Sequence, residues 1–282
     1  MMRSTGPRHA FGFTLVEAVL VIMLTGVVAV MAGSFIRAPM ASYVDVSRRA
    51  ELGDAADLAL RRIAREVQGA LANSVRVDAT NTLLEFLPVS AAGRYRAAPG
   101  TGGTGDDLDF GSSTDGSFDV LGPGVTVASG DHLVIYNLGL PGADAYSGES
   151  RRALTSVGSG LATLSFVPGG VQFPFASPSS RFQIVATPVT FACTPGGGGS
   201  GSVRRYGGYA IQSAQPVTAG AAPLAGLTGI NNALLIGKVE SCSFVYNAGI
   251  SPRNGLLTLT LKLTAGGESV TLMHQVQVDN SP

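Results

Sequence analysis

Gly12-Phe13-Thr14-Leu15-Val16-Glu17 opens an apolar run that reaches Ile36, and the short stretch before it carries Arg3 and Arg8. From Phe13 to Ile36 the run is 24 residues. At about 1.5 Å per residue, a helix of that length exceeds a bilayer core of about 30 Å, so the segment can span a membrane. Glu17 is the exception within it. An ionised carboxylate in hydrocarbon costs at least about 2.5 kcal/mol on insertion scales and marks a paired, functional position. Cleavage between Gly12 and Phe13 would create a new α-amine one helical turn before Glu17, and residues four apart share a helix face. The amine of a neighbouring subunit, offset along a bundle, serves as partner better than the chain's own, so Glu17 would set an assembly register. A polar group in an apolar helical seam fixes register at a cost in stability.

These residues, Gly12-Phe13-Thr14-Leu15-Val16-Glu17, resemble the processing motif of type IV pilins and type II secretion pseudopilins. The resemblance implies that a prepilin peptidase cuts after Gly12, that the Phe13 amine is methylated, and that Glu17 pairs with the amine of an adjacent subunit. The competing readings are an ordinary signal peptide and a plain signal anchor. A secretory signal would need an A-x-A-like site after an apolar region of about 7–15 residues, whereas here the charged leader abuts the motif and the apolar run is longer. Arg3 and Arg8 stay cytoplasmic by the positive-inside rule, which exports the remaining chain. The expected organisation is a cleaved leader at 1–12, a transmembrane assembly helix at 13–36, an amphipathic continuation at 37–72 and a β-rich periplasmic body at 73–282.

The composition fits an exported globular body. The chain has 282 residues, 45% of them hydrophobic, with formal net charge +0, charged residues at 13% and Gly 38. That length can bury a core of its own, and so neutral a chain points to no nucleic-acid partner. Cys193 and Cys242 both fall in the exported part, where an oxidising periplasm favours a disulfide; two buried free thiols are the alternative. The loop of roughly 50 residues it would close is worth about 4 kcal/mol on the chain-entropy model.

Leu52, Ala56, Leu60, Ile63, Val67 and Leu71 continue a helical stripe, with Arg48, Arg49, Arg61, Arg62 and Arg65 on a solvated face. Pro39 is expected to loosen this helix, and Asn73-Ser74 to end it. Beyond it the chain reads as strands: Thr82–Leu87, Val125–Ala128, His132–Tyr136, Leu161–Val167, Phe182–Thr187, Val189–Cys193, Tyr206–Gln212, Val239–Tyr246, Leu256–Leu263 and Ser269–Val278. The expected fold is α+β, pilin-like, one long N-terminal helix packed on an antiparallel sheet. Ala97–Gly105 and Thr194–Gly201 read as loops, and Arg151-Arg152 and Arg204-Arg205 as exposed turn charges.

Catalytic signatures are lacking. The sequence holds no His-Glu-x-x-His, no P-loop and no Gly-x-Ser-x-Gly elbow, and no enzyme is expected. Gly100-Thr101-Gly102-Gly103-Thr104-Gly105 matches a dinucleotide fingerprint but follows no strand and opens no helix. Asp106, Asp107 and Asp109, with Asp115 and Asp119 nearby, are weak candidates for calcium ligands. They lack the Asp-x-Asp-x-Asp-Gly spacing with a following bidentate glutamate, and solvated loop carboxylates account for them. No metal or other cofactor is expected.

Stretches of the body resemble the MshO-type minor pilins of the mannose-sensitive haemagglutinin (MSHA) pilus. They include Phe118-Asp119-Val120-Leu121-Gly122, Val134-Ile135-Tyr136-Asn137-Leu138-Gly139, Asp144-Ala145-Tyr146, Arg181-Phe182-Gln183, Arg205-Tyr206, Gly208-Tyr209 and the ending Asp279-Asn280-Ser281-Pro282. The resemblance implies a minor pilin that takes part in assembling or priming a type IV pilus and supports adhesion. Its implied partners are prepilin peptidase, other minor and major pilins, an inner-membrane assembly platform and the membrane itself. Its implied location is the inner membrane of a Gram-negative bacterium, then the pilus surface. The alternatives are a J-type minor pseudopilin of a type II secretion system and a pilus-tip adhesin.

Overall fold

The computed structural model of the chain describes residues 12–170, 172–249 and 254–282, and the leader with Arg3 and Arg8 lies outside them. The chain divides into two compact units, Met1–Ala50 and Glu51–Pro282. A helix, α1 (Leu15–Gln68), begins in the first and ends in the second. Pro39 does not end it, and Gln68 does, five residues before Asn73. Asn73 instead takes a left-handed turn at φ 59.

The strands follow in order. First come β1 (Arg76–Val77), β2 (Leu83–Phe86), β3 (Val89–Tyr95), β4 (Ser117–Leu121) and β5 (Val125–Val127). Next are β6 (His132–Val134), β7 (Arg151–Ala153), β8 (Gly158–Leu161), β9 (Thr163–Ser165) and β10 (Arg181–Val185). The last are β11 (Val189–Thr194), β12 (Gly201–Tyr206), β13 (Asn232–Asn247), β14 (Gly255–Ala265) and β15 (Glu268–Val278).

This corrects the α+β expectation of one helix laid on one sheet, because the body is mostly β and is built from several sheets. Among the described residues these are a seven-stranded sheet in the order β1-β2-β11-β12-β13-β14-β15, a six-stranded sheet in the order β7-β6-β10-β3-β4-β9, and a β5-β8 pair. All the pairings are antiparallel. Among the described residues, the buried stripe of the helix packs in the core of the first sheet. Leu52, Ala56, Leu60, Ile63 and Val67 share a core with Leu84 and Phe86 of β2, with Phe191 of β11, and with Phe244, Leu259 and Val276 of the last three strands. The second sheet closes over a different core, where Tyr95, Phe118, Phe166, Phe173 and Phe182 pack ring against ring without any helical residue.

The seven-stranded sheet curls into a half-barrel around the helical stripe. β12 pairs with β13 only from Asn232 to Val239, while β13 runs on to Asn247. Register shifts and a left-handed Lys238 (φ 59) bend β13 there, as bulges do. Its far half then returns toward the β1–β2 turn, and the Phe244 N–H donates to the Asn81 carbonyl at 2.9 Å. The glycine-rich stretch before β12 is a packed connection rather than a free loop. Gly199 has φ +82, and a Cβ there would collide with the Thr264 carbonyl. Strand β12 replaces the expected Tyr206–Gln212 strand. Its Arg204 and Arg205 are strand residues rather than turn charges, and Arg205 Nε pairs with Glu66 of the helix at 2.7 Å.

A carboxylate lies inside this sheet. Glu85 on β2 is 0% exposed and sits opposite Arg76 on β1, whose Nε donates to Oε2 at 2.7 Å. The Tyr209 hydroxyl donates to Oε1 at 2.9 Å. Arg76 also donates to the carbonyls of Ser213 at 2.7 Å and Gln212 at 3.0 Å, and its guanidinium lies 3.5 Å over the Tyr146 ring. Burial pushes the Glu85 carboxyl above its ordinary 4.5 even with Arg76 and Tyr209 opposing. The folded state therefore holds this proton more tightly than the unfolded chain, and Glu85's contribution to stability falls as pH rises from 4.5 through the folded value. Glu85→Gln removes that dependence. Denaturant unfolding from about pH 4 to about pH 8 is expected to show the cost of the substitution shrinking as pH rises, and a cost that grows would contradict the assignment.

Candidate membrane segment and processing site

Helix α1 begins where the motif places a charge. Thr14 precedes its first residue, and the Thr14 hydroxyl accepts the Glu17 N–H at 3.2 Å while the Thr14 carbonyl accepts the Ala18 N–H at 3.1 Å. Thr14 is therefore the N-cap, and Thr14-x-x-Glu17 has the spacing of a capping box. Sequence reading assigned Glu17 an assembly role and passed over Thr14, although the threonine-to-glutamate spacing was the available signal. The carboxylate also sits in the first helical turn, where the helix dipole favours negative charge.

Leu15–Gly33 is a stretch of 19 residues long and apolar enough to cross a membrane, and 0% of it is buried within the chain. Phe13 is 78% and Leu15 81% exposed. A helix apolar on all faces and uncovered by its own chain requires lipid or other apolar partners around it. Its one hydroxyl in mid-span is satisfied internally, since Thr25 Oγ1 donates to the carbonyls of Val21 at 2.7 Å and Ile22 at 3.0 Å. That removes an unpaired donor that hydrocarbon would penalise. This N-terminal helix is a candidate membrane anchor or signal sequence.

Gly12, Phe13 and Glu17 are adjacent at the exposed start of the helix. The other singled-out residues lie in the body. Cys193 and Cys242 form a disulfide with Cα atoms 6.6 Å apart, tying β11 to the far half of β13 across the curl of the sheet. Three carboxylates of the acidic group, Asp109, Asp115 and Asp119, accept hydrogen bonds from nearby segments. Asp119 accepts the Asp106 N–H at 3.0 Å, Arg96 Nε at 3.3 Å and the Thr163 hydroxyl at 3.1 Å. The Asp106 amide leads the causes that hold its carboxyl below the ordinary value. Asp109 accepts the Gly111 N–H at 2.8 Å, and Asp115 accepts the Asp109 N–H at 2.7 Å. Among the described residues no three His, Cys, Asp or Glu side chains converge as a metal-binding set, and Asp106, Asp107 and Asp109 are not brought together as one. Gly100–Gly105 is a loop, closed by the Gly100 N–H on the Thr104 carbonyl at 2.7 Å.

No family model, curated protein or solved structure matches the chain.

Proposed function

We propose that the chain is a non-enzymatic minor pilin, made as a membrane-held precursor, cut after Gly12, methylated at Phe13, and added to a type IV pilus of the MSHA kind. The observation that carries this reading is the junction of Gly12-Phe13-Thr14-Leu15-Val16-Glu17 with a 19-residue apolar helix that its own chain leaves uncovered. In the precursor the bilayer covers that helix, and in the filament the corresponding helices of other pilins do. Prepilin peptidase and an inner-membrane assembly platform are its partners in transit. The body faces the periplasm, where the Cys193–Cys242 bridge is stable. The support comes from the N-terminal segment, and the mostly-β body adds none.

The test is the intact mass and N-terminal peptide of the chain recovered from membranes of its own host. The expected product starts at N-methylated Phe13. An uncut Met1, or a cut beyond Gly33, would overturn the reading. Deletion that spares piliation and blocks enzyme secretion would move the subunit to a type II secretion pseudopilus.

A further inference from the structure

The six-stranded sheet ends in a cleft whose charges are incompletely matched. β7 is its edge strand, with Arg151 opposite Val134 of β6 and Ala153 opposite His132. Side chains alternate along a strand, so Arg151 and His132 share one face and Arg152 takes the other. The cleft lined by these residues has a volume of ≈ 620 Å³, within the range of small-molecule sites.

Most of its polar groups are committed. Arg152 Nη1 donates to the carbonyls of Gly148, Glu149 and Arg151 at 2.9, 3.1 and 2.7 Å, and its guanidinium lies 4.8 Å over the Phe173 ring. Glu149 Oε2 accepts the N–H groups of Gly142 and Asp144 at 2.9 and 3.1 Å. Gln172 donates to the Asp109 carbonyl at 3.1 Å. Asp144, whose charge acts on Arg151, accepts the Tyr146 and Ser147 N–H groups and the Ser147 hydroxyl.

Arg151 is the exception. Among the described residues its half-buried guanidinium makes no hydrogen bond or ion pair, and burial lowers its pKa. His132 Nδ1 is a second uncommitted group, buried with no partner in hydrogen-bond geometry. Burial first, then the Arg151 charge, holds the imidazole below 6.5 against the weaker pull of the Gly130 backbone and Asp131, so it is neutral at pH 7. A partly desolvated cation with no hydrogen-bond or ion-pair partner is a costly arrangement that an incoming anion relieves.

We propose that this cleft binds a small monocarboxylate, with both oxygens on the Arg151 fork and the organic body against Val167, Pro168 and Pro174. A guanidinium matches a carboxylate in bidentate geometry. A phosphate dianion fits less well, because Arg152 is held by carbonyls and Glu149 stands in the same wall. The site belongs to the body alone and does not depend on the filament reading.

The test uses the full chain in detergent micelles and ligand-observed NMR with acetate, galacturonate, galactose and inorganic phosphate. Acetate and galacturonate are expected to bind saturably, galactose not at all. Arg151→Gln is expected to weaken galacturonate at least about tenfold, equal to about 1.4 kcal/mol. Arg151→Lys, which keeps charge without the fork, should fall between. Both variants are expected to stay folded, since Arg151 makes no hydrogen bond or ion pair among the described residues, and a cooperative melt of each separates lost binding from lost structure. Absence of carboxylate binding up to about 100 mM, or binding undiminished in a folded Arg151→Gln, overturns the site. Phosphate binding through Arg151 as tightly as galacturonate overturns the choice of ligand class.

Discussion

Glu17→Gln is expected to be cut after Gly12 like the wild type and yet to be depleted at least about tenfold from sheared filaments, the scale of losing about 1.4 kcal/mol or more from a subunit contact. The substitution removes the charge of the side chain and leaves the helix cap, which is made by the Thr14 hydroxyl and the Glu17 backbone N–H. Glu17 occupies the third position of a helix capped by Thr14, and glutamine serves there as glutamate does. What glutamine removes is the charge. In the proposed filament that charge meets the amine of a neighbouring Phe13, and removing one partner of a buried ion pair costs about 3–5 kcal/mol because the other is left unmatched. Thr14→Ala is the control for the helix cap. It removes the cap, at about 1 kcal/mol, and leaves the charge. Its filaments should therefore be reduced far less than those of Glu17→Gln. Incorporation of Glu17→Gln at the wild-type level, measured by quantitative immunoblot of sheared pili, would sink the register argument.

The joint replacement of Cys193 and Cys242 by alanine has the largest expected effect on the body. The bridge spans a sequence separation of 49, for which chain entropy gives about 4 kcal/mol. In a domain of this size each kcal/mol moves the melting point by roughly 2–4 °C, so a fall of roughly 8–16 °C is expected. The location makes the loss more than a matter of loop closure. β12 stops pairing with β13 at Val239, so the far half of β13 is joined to β11 by the bridge, with the Phe244–Asn81 hydrogen bond alongside. Calorimetry of the double variant checks this, and a melting point within about 2 °C of the wild type would show that core packing alone holds the curl.

Much of the local structure was legible because its signals are contiguous. The stripe from Leu52 to Val67 is spaced for one helix face and is buried as that face. Leu257, Leu259, Leu261 and Leu263 alternate with polar residues, and all four point into the core from β14. The Gly266–Gly267 turn joins β14 to β15, with both glycines at positive φ. Misreadings came where local composition and long-range placement disagree. Arg151, Arg152, Arg204 and Arg205 look like turn charges in a glycine- and serine-rich setting, but each pair lies in a short strand. Glu85 sits between apolar neighbours with no local sign that Arg76 and Tyr209 would enclose it.

The N-terminal segment and the cysteine pair could be read from the chain because a membrane-length apolar run, its single carboxylate and the count of thiols are properties of composition and spacing. The architecture of the body could not. β2 finds β11, and β10 finds both β3 and β6, across stretches that contain other complete strands. Backbone hydrogen bonds are alike at every residue, so strand partners are chosen by which faces can be buried together. That choice made two separate cores instead of one helix-covered sheet, curled β13 back toward Asn81, enclosed Glu85, and left Arg151 uncommitted at an edge.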